Sequence, residues 1–310
     1  MIYTLTLNPA IDQIIEVTNF QVGETNKAVR EYDIIGGKGI NVAIMLQHLG
    51  YATTALGFLG HDNKEIFEHY LADQKIPFYF HPVVGKTRTN MKIKSLDIKQ
   101  ETELNGVAFT ITSADVEAIL TLIKTKLTKN ACLIISGSLP RNCDPNLYQI
   151  ISTYCHAQGI LFVVDATKEI LLSTLATQPF LVKPNLTELN ELFNTNYHFN
   201  EIKEIIALGQ NLRHQGAQNV LISSGQDGSI LISAEDVYIA NTATGQLVNS
   251  VGAGDSMVAG FVGTYLATNN YQEALLIGIC AGSATAFSPG IADQSLVESL
   301  KPQIKITIFK

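Results

Sequence analysis

Short apolar runs alternate along this chain with longer stretches whose apolar positions recur every three or four residues. Residues 2–7, 53–59, 132–136, 160–164, 180–182 and 220–223 read as strands. The run 132–136 is apolar almost throughout, as expected of a strand covered on both faces. Helical periodicity fills the gaps. A helix is predicted over 39–49, and another opens at Asp62 with Glu65 as its capping-box partner. A third starts where Thr112 is followed by Asp115 and runs to about residue 127. Asp144-Pro145 predicts an N-cap with proline in the first helical position, for a helix ending near Gly159. Repeated strand–helix order of this kind predicts an α/β fold: a mainly parallel central sheet between two helical layers.

Two segments break the rhythm. Residues 11–35 lack helical periodicity, and residues 87–105 alternate as a strand does at Met91-Lys92-Ile93-Lys94. They are expected to form one small β lid over the ligand site. The remaining segments, 1–10, 36–86 and 106–310, would form the core of a single fold spanning 1–310. A lid would keep water, a competing nucleophile, away from a transfer step. Ordinary surface hairpins are the plainer alternative.

Bulk numbers narrow the class. The 310 residues are 46% hydrophobic and 16% charged, with a formal net charge of −7. That suits a soluble core and argues against a nucleic-acid binder, which carries basic excess. Cys132, Cys143, Cys155 and Cys280 show no metal or redox spacing and are expected as free thiols in a reducing compartment. No leader-like segment or stretch of about 20 apolar residues is present, so the chain is expected in the cytoplasm, away from membranes. The histidines lack metal-ligand spacing.

Candidate chemistry concentrates in two glycine turns, each leading into an apolar helical run. One is Val251-Gly252-Ala253-Gly254-Asp255-Ser256, the other Gly36-Gly37-Lys38-Gly39-Ile40-Asn41. Backbone N–H groups at such helix starts attract anions. A carboxylate in that setting suits a base that deprotonates a hydroxyl while the turn holds a phosphoryl group. Read alone, Asp255 serves equally well as a helix N-cap. Neither turn fits a dinucleotide fingerprint, because Val42 and Met257 stand where a small residue is needed. The Walker pattern fails as well, since Gly39 follows Gly37-Lys38. Lys183-Pro184-Asn185-Leu186-Thr187-Glu188 follows a strand. Its Lys183 could face a phosphate, and Asn185 with Glu188 could orient Mg²⁺ through its waters; a loop and helix cap is the alternative. Ser223-Ser224-Gly225-Gln226-Asp227-Gly228 reads as a hairpin turn that could also pass a nucleotide. Arg88, Asn90 and Lys38 are candidate phosphate ligands; for any one of them alone, a solvated surface side chain is the plainer alternative.

These residues resemble the ribokinase-like (phosphofructokinase-B) carbohydrate kinases. Val251 to Ser256 is similar to their C-terminal signature and Gly36 to Ala43 to their N-terminal one. Ser136-Gly137-Ser138-Leu139-Pro140 and Lys183-Pro184-Asn185 lie between, in the family's order. Asn8-Pro9-Ala10, followed by Asp12, and the lysine of Gly36-Gly37-Lys38-Gly39 resemble the phosphosugar branch. Gly57-Phe58-Leu59-Gly60 and Thr87 to Ile93 do so too. The resemblance implies a three-layer ribokinase-like fold with a small β-sheet lid. It further implies ATP as phosphoryl donor with Mg²⁺, and a sugar phosphate as acceptor. The implied acceptor is O6 of fructose 1-phosphate, with tagatose 6-phosphate the neighbouring substrate. Asp255 would be the base, and Gly252, Ala253 and Gly254 the anion hole. Asp12, Gly37, Gly39 and Asn41 would hold the sugar. Lys38, Arg88, Asn90 and Ser138 would hold its phosphate, with Lys27 assisting. Lys183, Asn185, Ser224, Gly225, Gly228 and Ser283 would serve the nucleotide, and Glu188 and Asn185 the metal. The turn at Ser223-Ser224-Gly225 departs from the family's usual Ser/Thr-Leu-Gly. A homodimer through the lid is also implied. A sugar-phosphate-binding regulator that lost turnover is the alternative, and an intact Asp255 argues against it.

Overall fold

The computed structural model describes residues 1–98, 100–166 and 168–310. Among them, ten strands form one sheet. In spatial order these are β14 (Ile306–Phe309), β13 (Val237–Ala240), β12 (Ser229–Ile232), β11 (Asn219–Ser223), β10 (Leu181–Val182), β9 (Leu161–Asp165), β8 (Cys132–Ser136), β1 (Ile2–Thr6), β4 (Thr53–Gly60) and β5 (Phe78–Val83). From β11 to β5 every pairing is parallel; β12, β13 and β14 add antiparallel strands at one edge. Later strands are added on both sides of β1, so the order reverses there. In open α/β sheets ligands bind at such a reversal, beyond the carboxyl ends of the strands.

Strand side chains alternate between the two faces. On β8, Leu133 and Ile135 join the core beneath α3 (Ser113–Lys126), α4 (Leu147–Gln158), α5 (Lys168–Leu175), α6 (Leu186–Phe193) and α7 (Ile202–His214). Cys132 and Ile134 join the opposite core, under α1 (Lys38–His48), α8 (Ala253–Thr268), α9 (Tyr271–Ala286) and α10 (Gln294–Leu300). The four cysteines are free, and burial pushes the thiols of Cys132, Cys155 and Cys280 up to about 12. No helix among the described residues is long and apolar enough to cross a membrane.

The two segments outside the strand–helix rhythm meet in a second sheet: β3 (Ala28–Gly36), β2 (Ala10–Val17), β6 (Arg88–Ser95) and β7 (Gln100–Leu104). They are not separate hairpins. β2 and β6 pair in parallel across a long chain separation, with Asp12 opposite Asn90 and Ile14 opposite Lys92.

Local signals fared unevenly. Thr112 and Asp115 form a complete capping box at the start of α3, and Gly159 closes α4 in the left-handed conformation. The capping box predicted at Asp62 and Glu65 does not form. A short 3₁₀ turn holds residues 61–63, and α2 (Lys64–Asp73) begins after it. Asn63, at the cap position, instead exchanges 2.8 and 3.0 Å hydrogen bonds with the backbone of Thr87, tying this turn to the entry of β6. The Asp144-Pro145 start is also displaced. α4 begins at Leu147, because Asp144 Oδ1 accepts from Asn146 N (2.9 Å) and folds the residues ahead of the helix into a turn.

One glycine fixes how α1 meets β1. A Cβ on Gly39 would lie 2.7 Å from the Leu5 carbonyl oxygen and overlap the Thr6 hydroxyl. Backbone cannot yield as a flexible side chain can. Gly39→Ala is therefore expected to lower stability by about 1–3 kcal/mol. It should lower kcat as well, since Lys38 and Asn41 ride on the displaced turn. Paired melting and rate measurements check this, and an unchanged melting midpoint would show that the contact is not tight.

Candidate active site

The strands of the large sheet deliver polar residues to one edge. Asn8 and Pro9 follow β1, Ser138 follows β8, Asp165 ends β9, Lys183 follows β10, and Ser223 ends β11. The N-terminus of α8 completes the edge. Gly252 sits at its N-cap with φ of 81°, a conformation natural to glycine. A Cβ there would also come 2.7 Å from Ile291 Cδ1.

Asp255 is not the helix cap. Gly252 holds that position with no side-chain cap bond, while Asp255 Oδ2 accepts a 2.8 Å hydrogen bond from Asn41 Nδ2. That bond joins the two glycine turns directly. Asp255 is 6% exposed. Burial first, then the charge of Asp165, raises its carboxyl to about 6; Lys38, Asn41 and Lys183 restrain the rise. A carboxylate with its affinity for protons raised toward neutrality is suited to general-base work.

No sequence motif marks Asp165. It is buried at the end of β9 and holds two ammonium groups, Lys38 Nζ on Oδ2 at 3.3 Å and Lys183 Nζ on Oδ1 at 3.6 Å. Burial pushes its carboxyl up, but Lys183 and Lys38 together bring it below the ordinary value. The Lys183 ammonium also lies against the turn that opens α8, 3.2 Å from where a Cβ on Gly254 would stand.

The second sheet supplies a different charge group. Asp12 Oδ1 accepts from Asn90 Nδ2 at 2.8 Å, and its Oδ2 lies 3.5 Å from Lys92 Nζ. Arg88, Asn90, Lys92 and Lys94 alternate along β6 and so share one face. A cavity of about 100 Å³ beneath the sheet is lined by Asp12, Gly36, Lys92 and Lys94 from that sheet, with Asn41 and Ile291 from the core. Arg88 Nε is buried without a partner. Burial lowers its guanidinium pKa, and Asp12 and Glu103 offset only part of that fall. Ser138 Oγ accepts from Asn8 Nδ2 at 3.0 Å, linking the loops after β8 and β1. Lys27 is exposed ahead of β3 and does not line the cavity.

At the start of α6, the cap alternative describes Asn185 and Glu188. They form a full capping box, with Asn185 N donating to Glu188 Oε2 and Glu188 N to Asn185 Oδ1, both at 2.8 Å. Ser224 and Gly225 line an open groove of about 1030 Å³ between residues 196–200 and 223–227. Gly228 and Ser283 are not on its wall. Gly228 packs against Phe199 and the Ala240 carbonyl, while Ser283 is buried in α9 with its Oγ unpartnered.

Beyond its geometry, residues 5–297 match the family described as pfkB family carbohydrate kinase. The chain belongs to this family. A 1-phosphofructokinase of Bacillus subtilis is 39% identical over 307 residues, covering 99% of both chains. A D-tagatose-1-phosphate kinase of Bacillus licheniformis is 35% identical over 307 residues with the same coverage. The crystal structure of a putative phosphofructokinase from Staphylococcus aureus superposes with a TM-score of 0.87 at 36% identity, covering 100% of this chain and 99% of that one. The pfkB chain is thus a phosphotransferase with an alcohol acceptor, and ATP is the co-substrate that such a kinase requires. Both glycine turns, Gly36 to Asn41 and Val251 to Ser256, lie within the residues that match the family.

Proposed function

We propose that the chain phosphorylates fructose 1-phosphate at O6 with Mg-ATP, giving fructose 1,6-bisphosphate and ADP. The observation that carries this reading is the buried Asp255 carboxylate, hydrogen-bonded to Asn41 and set among the first amides of α8. Asp255 takes the O6 proton as that oxygen attacks the γ-phosphorus and the bond to the ADP oxygen breaks. The amides of Gly252, Ala253, Gly254 and Asp255 face the charge on the group in transit. Asp12, fixed by Asn90 and Lys92, accepts from sugar hydroxyls beside Gly37, Gly39 and Asn41. The 1-phosphofructokinase names of several relatives support the substrate.

Magnesium fits as an ion carried by the nucleotide. Among the described residues no cluster of three or more His, Cys, Asp or Glu could cage a metal. Glu188 uses Oε2 in its cap, which leaves Oε1 for a metal-bound water. Mg²⁺ commonly keeps several waters and takes few protein ligands. When bound, it would neutralise phosphate oxygens. Lys183, Ser224 and Gly225 would flank the nucleotide's phosphates, with Gly228 and Ser283 supporting the site from behind. A cytoplasmic location and a homodimer through the second sheet complete the reading; Met91 and Leu104, paired across β6 and β7, are exposed on that sheet.

An ADP-release assay comparing fructose 1-phosphate, tagatose 1-phosphate, tagatose 6-phosphate and fructose 6-phosphate tests the proposal. Preference for fructose 1-phosphate is expected. Preference for tagatose 1-phosphate would move the assignment toward the Bacillus licheniformis relative. Tight sugar-phosphate binding without turnover would favour the regulator. Arg88→Ala should raise KM for the sugar phosphate about tenfold or more, the size of a lost charged hydrogen bond, with KM for ATP nearly constant. A shift confined to KM for ATP would reverse the assignment of the two sides.

A further inference from the structure

We infer that Lys38 grips the phosphoryl group in transit, and not the phosphate that the sugar already carries. This rests on the kinase reading above and reassigns one residue within it.

Lys38 and Lys183 share the carboxylate of Asp165, one on each oxygen. Lys183 stands against Gly254, in the turn that carries Asp255. Lys38 is therefore clamped beside the transfer centre, and its ammonium answers to Asp165, Asp255 and Glu188. Arg88 answers to Asp12 and Glu103, and Lys92 lies 3.5 Å from Asp12. The cations thus fall into two groups with no carboxylate in common. The β6 group, Arg88, Lys92 and Lys94 on one face, is the one placed to take the resident phosphate.

Exposure separates the two lysines. The Lys183 side chain is 5% exposed, whereas that of Lys38 is 37% exposed although its ammonium is tied to a buried carboxylate. Lys38 is thus the more open of the two to an incoming ligand. Charge gives the reason for such a pair. Two ammoniums and two carboxylates, Asp165 and Asp255, are neutral together. When Asp255 accepts the O6 proton, the group gains one net positive charge. That charge appears as negative charge spreads over the equatorial oxygens of the transferring group. A lysine at this point stabilises the transition state more than the bound sugar phosphate, which is the condition for raising kcat.

The test uses the full-length enzyme. It measures kcat at saturating Mg-ATP and sugar phosphate, and calorimetric affinity for fructose 1-phosphate without nucleotide. For Lys38→Met, kcat should fall about 100-fold or more, as when one donor to a developing oxyanion is lost. Its sugar-phosphate affinity should stay within about threefold of wild type, a difference under 1 kcal/mol. Lys38→Arg keeps the charge and should recover at least part of kcat. A purely structural lysine would lower both readouts together. Lys92→Met should show the opposite split, with affinity lost first. The inference is overturned if Lys38→Met loses affinity about tenfold while kcat is largely kept. Should that variant fail to fold, an equal loss of kcat and affinity in Lys38→Arg overturns it as well. Wild-type turnover is the separate check on the kinase reading. Turnover of a different sugar phosphate leaves the inference standing, to be read with that substrate, whereas no turnover with any of the four removes both.

Discussion

Asp255→Asn is expected to abolish turnover, bind sugar phosphate normally, and melt at a higher temperature than wild type at pH 7. The first effect is the loss of the general base, worth about 10²–10⁴ in rate. Binding survives because Asp12, Asn90 and the β6 cations are untouched. The third effect follows from linkage. Burial and Asp165 raise the Asp255 carboxyl from 3.8 to about 6. Between those values the folded protein holds a proton that the unfolded chain has released, so stability falls as pH rises through that window. Above it, the ionised carboxylate costs stability on the order of 2–3 kcal/mol. An amide carries no such charge. The gain should therefore be largest at pH 7 and fade toward pH 4. The wild-type kcat/KM should lose about tenfold per pH unit below about 6, where the base is protonated. Full activity in the variant would sink the assignment of the base, and equal melting midpoints at pH 7 would sink the raised pKa.

Asp165→Asn should be the most damaging single change for stability. Lys183, 5% exposed, would keep a buried ammonium without its ion-pair partner, and Asp255 would be the carboxylate left to act on it. Removing one partner of a buried pair costs roughly 3–5 kcal/mol. The Lys38 share is smaller, because solvent screens a side chain that is 37% exposed. The Asp165 carboxyl is held below its ordinary value, so its contribution is present above that value and fades as pH falls through the lowered one. The gap between wild type and variant should therefore narrow in strong acid. Activity gives a second readout. Asp165 is, after burial, the main cause of the raised Asp255 pKa. Without it the acidic limb of the pH–rate profile should move below pH 6 while kcat drops. Melting curves across pH 3–7 and a pH–rate profile check both. A variant as stable as wild type at pH 7 would show that the two lysines do not depend on this carboxylate, and an unmoved acidic limb would show that Asp165 does not raise Asp255.

The glycine turns, the parallel sheet and the family were legible because each is written in local chemistry. Glycines, periodic apolar runs and the Thr112–Asp115 capping box need few distant partners to be read. Asp165 was missed because its meaning comes from Lys38 and Lys183, brought to it only by neighbouring strands. A signal existed: the apolar run through Val164 ends on a carboxylate at a strand's C-terminal end. Lys92 was similarly visible as the third step of the alternation Arg88, Asn90, Lys92, Lys94. Its partner Asp12, however, is fixed by the β2–β6 register, which no local pattern declares. Asp62 and Asp144 misled because competing local bonds captured the backbone ahead of each helix. Asn185 and Glu188 carry one sequence pattern with two physical uses, and only the structure shows that the cap is formed.

The register between β2 and β6 also limits how this protein can diverge. Side chains on a strand change face with every residue. A one-residue slip of β6 would turn Arg88, Asn90, Lys92 and Lys94 to the opposite face, take Lys92 and Lys94 off the cavity wall, and put Thr89, Met91 and Ile93 in their place. A change of two residues keeps the faces but carries the cation row about 6.6 Å along the strand. If the β6 cations hold the resident phosphate as proposed, its distance from the transferring group is adjustable only in discrete steps. Variation in this sheet should proceed by paired insertions or by substitution in place, and an odd-numbered change should be tolerated only where a bulge restores the frame.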